Sequence, residues 1–314
     1  DHRDLHSFPT RRSSDLMLYI TGATGHSGKW FIEKLRKVQY SGPIKCLVRD
    51  GSNTEHLDAS GLNIQKIYGD LADLPLLVSS MKDAEIVLHI ASIMHSKNVV
   101  ESAIKNNVNW GIFVHTTGRF SKYKSASEEY IAIEEYVLSK RGQIGVTILR
   151  PTMIYGSSND RNMFKLVEYL YNHKFFPLFG RGHNLMQPVH ARDLGYAYYN
   201  VIKNKHLTFN KEYNLAGKEP IRYIDLVKSV SRELGKNNII IRLPLQFSIL
   251  AARIYNALTS RAIISVEQVL RMQEDKAFSY EQAALDFNYS PISFQEGIKE
   301  EVTEFKMLQQ RGKG

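Results

Sequence analysis

Residues 17–37 read MLYITGATGHSGKWFIEKLRK, and this stretch decides the fold. Leu18–Thr21 has the character of a short buried strand, and the segment after Gly28 reads as a helix to about Lys37. Between them stand Gly22, Gly25 and Gly28 at the spacing GxxGxxG. Each glycine has a physical task in such a turn: to reverse the chain tightly, to let backbone approach a pyrophosphate, and to let helix and strand pack closely. The amides that open the helix then face the phosphates with the positive end of the helix dipole. A glycine triplet alone is a weak signal. Placed after a strand and before a helix it predicts a dinucleotide cradle formed by Gly22, Thr24, Gly25, His26, Ser27 and Gly28.

Outward from the turn, short apolar runs alternate with helical stretches, the pattern of a parallel α/β sheet. Further strands are expected at Ile44–Arg49, Ile64–Tyr68, Ile86–Ile90, Ile112–Thr116 and Val146–Arg150. Helices are expected at Pro75–Met81, Val99–Asn106 and Ala126–Arg141, the last closed by a left-handed Gly142. Six strands with helical crossovers make a doubly wound parallel sheet over residues 17–156. Residues 157–314 turn mostly helical, with short extended pieces at Met186–Val189, Glu212–Leu215 and Ile239–Arg242, and read as a smaller substrate-binding region that returns strands to the sheet.

Arg49 closes the second strand, where its planar fork suits a ribose 2′-phosphate, whereas Asp50 beside it would suit the free ribose hydroxyls of NAD. The reading prefers NADP, with NAD the alternative. The charge sum, 41 − 32 = +9, favours an anionic small molecule. The cations are dispersed and no nucleic-acid-binding signature is present, so nucleic acid is not expected as a partner. No apolar run is long enough for a membrane span. The stretch Leu245–Leu258 reads as an amphipathic helix packed on the lid. Cys46 is the single cysteine, which excludes an internal disulfide and permits a reducing, cytoplasmic setting. The histidines lack ligand spacing, so no metal is expected. Residues 1–16, DHRDLHSFPTRRSSDL, read codon for codon like a translated sequencing adapter, which places the natural start at Met17.

TGATGHSG, the Arg49 strand end, Gly69-Asp70-Leu71 and LRPTMIYG at 149–156 resemble the extended and atypical short-chain dehydrogenase/reductases, the NAD-dependent epimerase/dehydratase superfamily. Gln187–His190 with Asp193-Leu194, Phe287–Pro291 and Phe294–Gly297 extend the resemblance almost to the end of the chain. The resemblance implies that Asp70 approaches the adenine, that His89–Ser92, with Ala91, lines the cofactor, and that Pro151–Ile154 borders the nicotinamide ribose. It places Thr116 and Thr117 where the family often carries a catalytic serine, and the lid after Tyr155. It further implies an NAD(P)-dependent oxidoreductase, epimerase or dehydratase acting on a small carbonyl, hydroxyl or sugar-nucleotide substrate. A homodimer is compatible with it, although nothing in the composition requires one.

The chain departs from the family at its Tyr–x–x–x–Lys pair, in which the lysine lowers the tyrosine pKa for proton transfer. Tyr136 and Lys140 have the spacing, but Lys140 stands at the helix end, where the dipole alone accounts for a cation. Tyr130 is better placed, yet Glu134 follows it where lysine is expected. Thr117 and Tyr130 are therefore the candidates for substrate polarisation and proton transfer. The altered pair also leaves open a cofactor-binding sensor or assembly factor without turnover.

Overall fold

In the computed structural model of the chain, residues 16–160, 162–246, 270–271 and 273–311 are described, those at 124–126 by their backbone alone. Residues 1–15 and 247–269, which include most of the amphipathic helix expected at Leu245–Leu258, and residues 161, 272 and 312–314 lie outside the described residues.

Strand β1 (Leu18–Thr21) is buried at every position, as a strand must be when helices cover both faces of a parallel sheet. It pairs on one side with β2 (Ile44–Val48), which pairs with β3 (Ile64–Tyr68). On the other side it pairs with β4 (Ile86–His89), followed by β5 (Trp110–Val114) and β6 (Gly145–Pro151). A seventh strand, β11 (Glu212–Leu215), adds parallel to β6 with Leu215 opposite Pro151. The order β11-β6-β5-β4-β1-β2-β3 reverses at β1, and the carboxyl ends on either side of that point open a crevice.

Helix α1 (His26–Lys37) follows the glycine turn and packs on α7 (Ala191–Lys203). Gly195 permits this approach: a Cβ there would stand 2.5 Å from the backbone nitrogen of Phe31. The Ser27 hydroxyl meets Tyr198 Oη at 3.0 Å across the same interface. Helices α2 (Glu55–Asp58), α3 (Leu74–Ser80), α4 (Ser96–Lys105) and α5 (Lys124–Leu138) complete the first half. β5 stops short of Thr116, which instead caps a tight turn at Thr117–Phe120 by accepting the Gly118 N–H. The expected left-handed residue at Gly142 does not occur: α5 ends at Leu138 and unwinds through turns bonded Lys140 to Val137 and Gln143 to Lys140, which satisfy the last carbonyls without a positive φ.

Beyond β7 (Ile154–Tyr155), helices α6 (Met163–Asn172), α9 (Tyr223–Glu233) and α11 (Phe294–Arg311) enclose a separate apolar cluster that includes Val167, Leu170, Val227, Ile298 and Phe305. The extended piece expected at 186–189 divides into β9 (Leu185–Met186) and β10 (Val189–His190), which pair with β12 (Ile221–Arg222) and β7. A parallel pair joins β8 (Phe175–Phe179) to β13 (Ile239–Leu243). The short helix α10 (Glu281–Phe287) docks at β11, where Tyr213 Oη donates to Asp286 at 2.6 Å.

Where α11 meets β7, Glu301 is wholly buried and accepts the Gly156 N–H at 2.8 Å through one oxygen. Its other oxygen, Tyr155 Oη and His190 Nε2 are buried without a hydrogen-bond partner among the described residues. Burial pushes the Glu301 carboxyl from its ordinary 4.5 up to about 8. Folding therefore favours its protonated form, and the stability this contributes is whole below pH 4.5 and lost as pH rises through 8. A shift of this size contributes on the order of 3–5 kcal/mol. Thermal melts should show the wild-type chain losing stability from pH 4.5 to 8 and Glu301→Gln losing clearly less; parallel curves for the two would contradict this reading of the carboxyl.

Candidate active site

The turn after β1 has no room for side chains. Gly22 takes a φ of +80°, and a Cβ there would lie 2.7 Å from the Ala91 backbone nitrogen. At Gly28 it would lie 2.1 Å from the Gly22 carbonyl oxygen, so helix and turn touch backbone to backbone. Gly25 caps α1 without a side-chain hydrogen bond, and the first turn of the helix carries no acid. The leading amides of α1 are thus left for an external anion.

They face a cavity of about 390 Å³ lined by Gly22, Thr24, Gly25, His26 and Ser27, and across it by Arg49, Asp70 and Ala91. Gly28 is buried beneath the turn and is absent from the lining. Asp50 is absent from it too. Of the segment His89–Ser92, the last three residues line the cavity and His89 does not. His89 is fully buried, with Nδ1 2.7 Å from Thr21 Oγ1 and Nε2 3.1 Å from the Ser92 carbonyl oxygen. Burial lowers its pKa to about 3, so it serves as a neutral strut beneath the site. His26 is likewise lowered, to about 4, chiefly by burial.

Ile154 is shared with a second cavity of about 440 Å³, which Thr116, Thr117, Ser121, Thr152 and Met153 line from the ends of β5 and β6. Thr116 therefore belongs to this second cavity rather than to the dinucleotide cradle. Its Oγ1 accepts the Gly118 N–H at 3.0 Å, and its own proton has no acceptor among the described residues. Thr117 donates to the Pro151 carbonyl at 3.2 Å. Pro151 thereby fixes the turn but lines neither cavity.

Tyr130 also lines neither cavity; its ring lies beside Gly118, 3.3 Å from where a Cβ would stand. Glu134 is not a cofactor-facing substitute for lysine. It is wholly buried and accepts from Arg150 (Nη2 2.6 Å, Nε 2.9 Å), from Arg119 and from His115 Nδ1 at 3.0 Å. Because a carboxylate only accepts, His115 carries its proton on Nδ1, and Nε2 accepts from Ser96 Oγ at 3.1 Å. Burial first, then Arg150 and Arg119, holds the His115 pKa down to about 3, so the ring is neutral. Arg150 also pairs with Glu212 of β11. Tyr136 and Lys140 both engage Glu101, at 2.5 and 2.7 Å, and line neither cavity.

Sequence reasoning missed the segment 274–278, which roofs the second cavity. Glu274 accepts from Ser121 Oγ at 2.9 Å and from the Lys122 N–H at 2.7 Å. Phe278 donates its N–H to Gln187 Oε1 at 2.8 Å and packs its ring against Phe120 with centroids 5.6 Å apart. These partners lie some ninety to one hundred and fifty positions away in sequence, beyond any local pattern. Lys276 lines this cavity as well. Among the described residues no cluster of histidine, cysteine and acidic side chains can hold a metal ion, and no helix is long and apolar enough to cross a membrane.

No protein-family model matches the chain. Quinone oxidoreductase 2 of Escherichia coli (strain K12) is 29% identical over 141 residues, 43% of this chain and 48% of the relative, so the match spans about half of that protein's length. Among solved structures, gox2253 superposes with a TM-score of 0.78 at 17% identity, over 94% of this chain and 98% of that one. UDP-glucuronic acid 4-epimerase from Bacillus cereus, solved with UDP-glucuronic acid and NAD, gives 0.73 at 17% identity over 93% and 100% of the two chains. The dTDP-glucose 4,6-dehydratase of Streptomyces venezuelae, solved with NAD, gives 0.73 at 16% over 95% and 98%. The chain thus has the fold of the NAD-dependent epimerases and dehydratases of the short-chain dehydrogenase/reductase superfamily, as its glycine turn and LRPTMIYG segment indicated.

Proposed function

We propose that the protein is an oxidoreductase of this superfamily that uses NADP, in preference to NAD, on a small carbonyl or hydroxyl compound. One observation carries the reading: the uncapped amides of α1 face a cavity that shares Ile154 with a second, hydroxyl-lined cavity. The glycine turn is a cradle that any Cβ would fill, which fits a pyrophosphate held by backbone alone. Gly22, Thr24, Gly25, His26 and Ser27 would hold that pyrophosphate, Asp70 the adenine end, and Arg49 the 2′-phosphate. Arg49 supports NADP because it lines the cavity and Asp50 does not, although the epimerase and dehydratase above carry NAD. The nicotinamide, when bound, supplies or accepts the hydride.

The residues around the second cavity orient the reacting group. Thr116 has a proton to give and donates to the substrate oxygen, while Thr117, committed to Pro151, holds the turn. The roof at 274–278 limits the access of water. Tyr130 is a weaker candidate for proton transfer than Thr116, since it lines neither cavity. A sensor or assembly factor without turnover is the second reading, favoured by the absence of both Tyr130 and Tyr136 from the cleft.

Fluorescence titration tests the cofactor. Arg49→Ala should weaken NADPH about tenfold or more, the worth of a charge-assisted contact, and leave NADH unchanged. Equal loss for both nucleotides would contradict the assignment. Against a panel of aldehydes and ketones, Thr116→Val should lower kcat/KM about tenfold or more, while Tyr130→Phe changes it less than about twofold. The reverse ranking would restore Tyr130, and tight NADPH binding without oxidation across the panel would favour the sensor.

A further inference from the structure

The cleft does not end at the second cavity. Met153, Asn162, Met186 and Lys276 are shared with a third chamber of about 300 Å³, whose wall is otherwise Met163, Leu166, Tyr223 and Leu226. The polar groups in it are few: the Tyr223 hydroxyl, Asn162, Asn184, Lys165 and Lys276, with no carboxylate among the lining residues. Asn184 is 8% exposed, and its side-chain oxygen is buried without a partner. Amide oxygen and nitrogen exchange places by a half-turn, so the group can accept from or donate to a ligand.

Lys276 is held rigidly. Its N–H donates to the Leu185 carbonyl at 2.7 Å, and the neighbouring Asp275 accepts the Leu185 N–H at 2.7 Å. Burial and the nearby Arg271 push its ammonium below the usual lysine range, a penalty that an anion beside it would offset. The part-buried Lys276, the more exposed Lys165 and an unpartnered amide oxygen at an apolar chamber of this size call for one anionic group on a compact apolar body. A sugar nucleotide would leave its hydroxyls and base edges unpaired against the methionines.

We propose that this chamber binds a small organic acid with an apolar body, its carboxylate held by Lys276 with Asn184 and Lys165 and its reactive carbonyl reaching back into the hydroxyl-lined cavity. This deepens the oxidoreductase reading and rests on it for the reaction, although the binding itself does not. The ligand class is thus a compact aryl or branched aliphatic oxo acid.

Calorimetric titration of the full chain, with and without saturating NADPH, tests this using three probes: phenylpyruvate, the uncharged 4-phenyl-2-butanone, and UDP-glucose. Phenylpyruvate should bind about tenfold or more tightly than the ketone, a gap that closes in Lys276→Met. Asn184→Asp, which adds a like charge, should close it too, and circular-dichroism melts establish that both variants are folded. Tightest binding of UDP-glucose, equal binding of acid and ketone, an undiminished gap in both folded variants, or no binding of any probe would overturn the proposal. Failure of NADPH to bind would instead sink the oxidoreductase reading and leave the chamber to be judged by the titration without cofactor.

Discussion

One buried carboxylate holds the carboxyl end of the sheet together at β5, β6 and β11. Glu134 projects from α5 to the ends of β5 and β6, where Arg119, Arg150 and His115 converge on it, and Arg150 reaches on to Glu212 of β11. Taking such a group from water is costly, and removing one partner from a buried ion pair typically costs about 3–5 kcal/mol. Its charge and that of Glu212 together balance the two guanidiniums, and the neutral His115 adds a further hydrogen bond. Thr116 and Pro151 directly follow His115 and Arg150 in the chain, so this contact helps to fix the backbone that lines the second cavity. A carboxylate so placed supports the site from beneath and takes no part in activating a phenol.

The dinucleotide half was legible because its constraints are local. A strand buried on both faces reads as an apolar run, and a turn that must touch its own helix reads as glycine. β1 accordingly falls at the residues expected of it, and the half-exposed edge strands β3 and β11 do so as well. Where local hydrogen bonds rather than hydrophobicity end an element, boundaries moved: Thr116 caps a turn instead of finishing β5, and α5 unwinds through backbone turns before Gly142. The surroundings of Glu134, Tyr130 and His89 were hidden for a related reason. Spacing along a helix or strand tells which residues share a face but not which charges that face meets.

The substrate end was largely illegible. Its lining comes from residues 152–154 after β6, from α6, β9, α9 and the segment at 274–278, brought together by contacts such as Ser121 with Glu274 and Gln187 with Phe278. Motifs that carried the family resemblance serve here as fasteners. Gln187 bonds both Phe278 and the Gly217 carbonyl, Asp193 accepts the Ile292 N–H at 3.0 Å, and a Cβ at Gly297 would strike Tyr155 Oη at 2.1 Å. They fix the cleft's shape and leave its lining free to vary, as expected where one scaffold serves many reactions.

The account turns on a dinucleotide lying across the switch point of the sheet. A crystal structure of the chain grown with NADP tests it most directly. Density is expected for the pyrophosphate over the amides of His26 and Ser27, for the 2′-phosphate at Arg49, and for the nicotinamide at Ile154 between the two cavities. A nucleotide bound elsewhere, or a crevice left empty at saturating NADP, would contradict it.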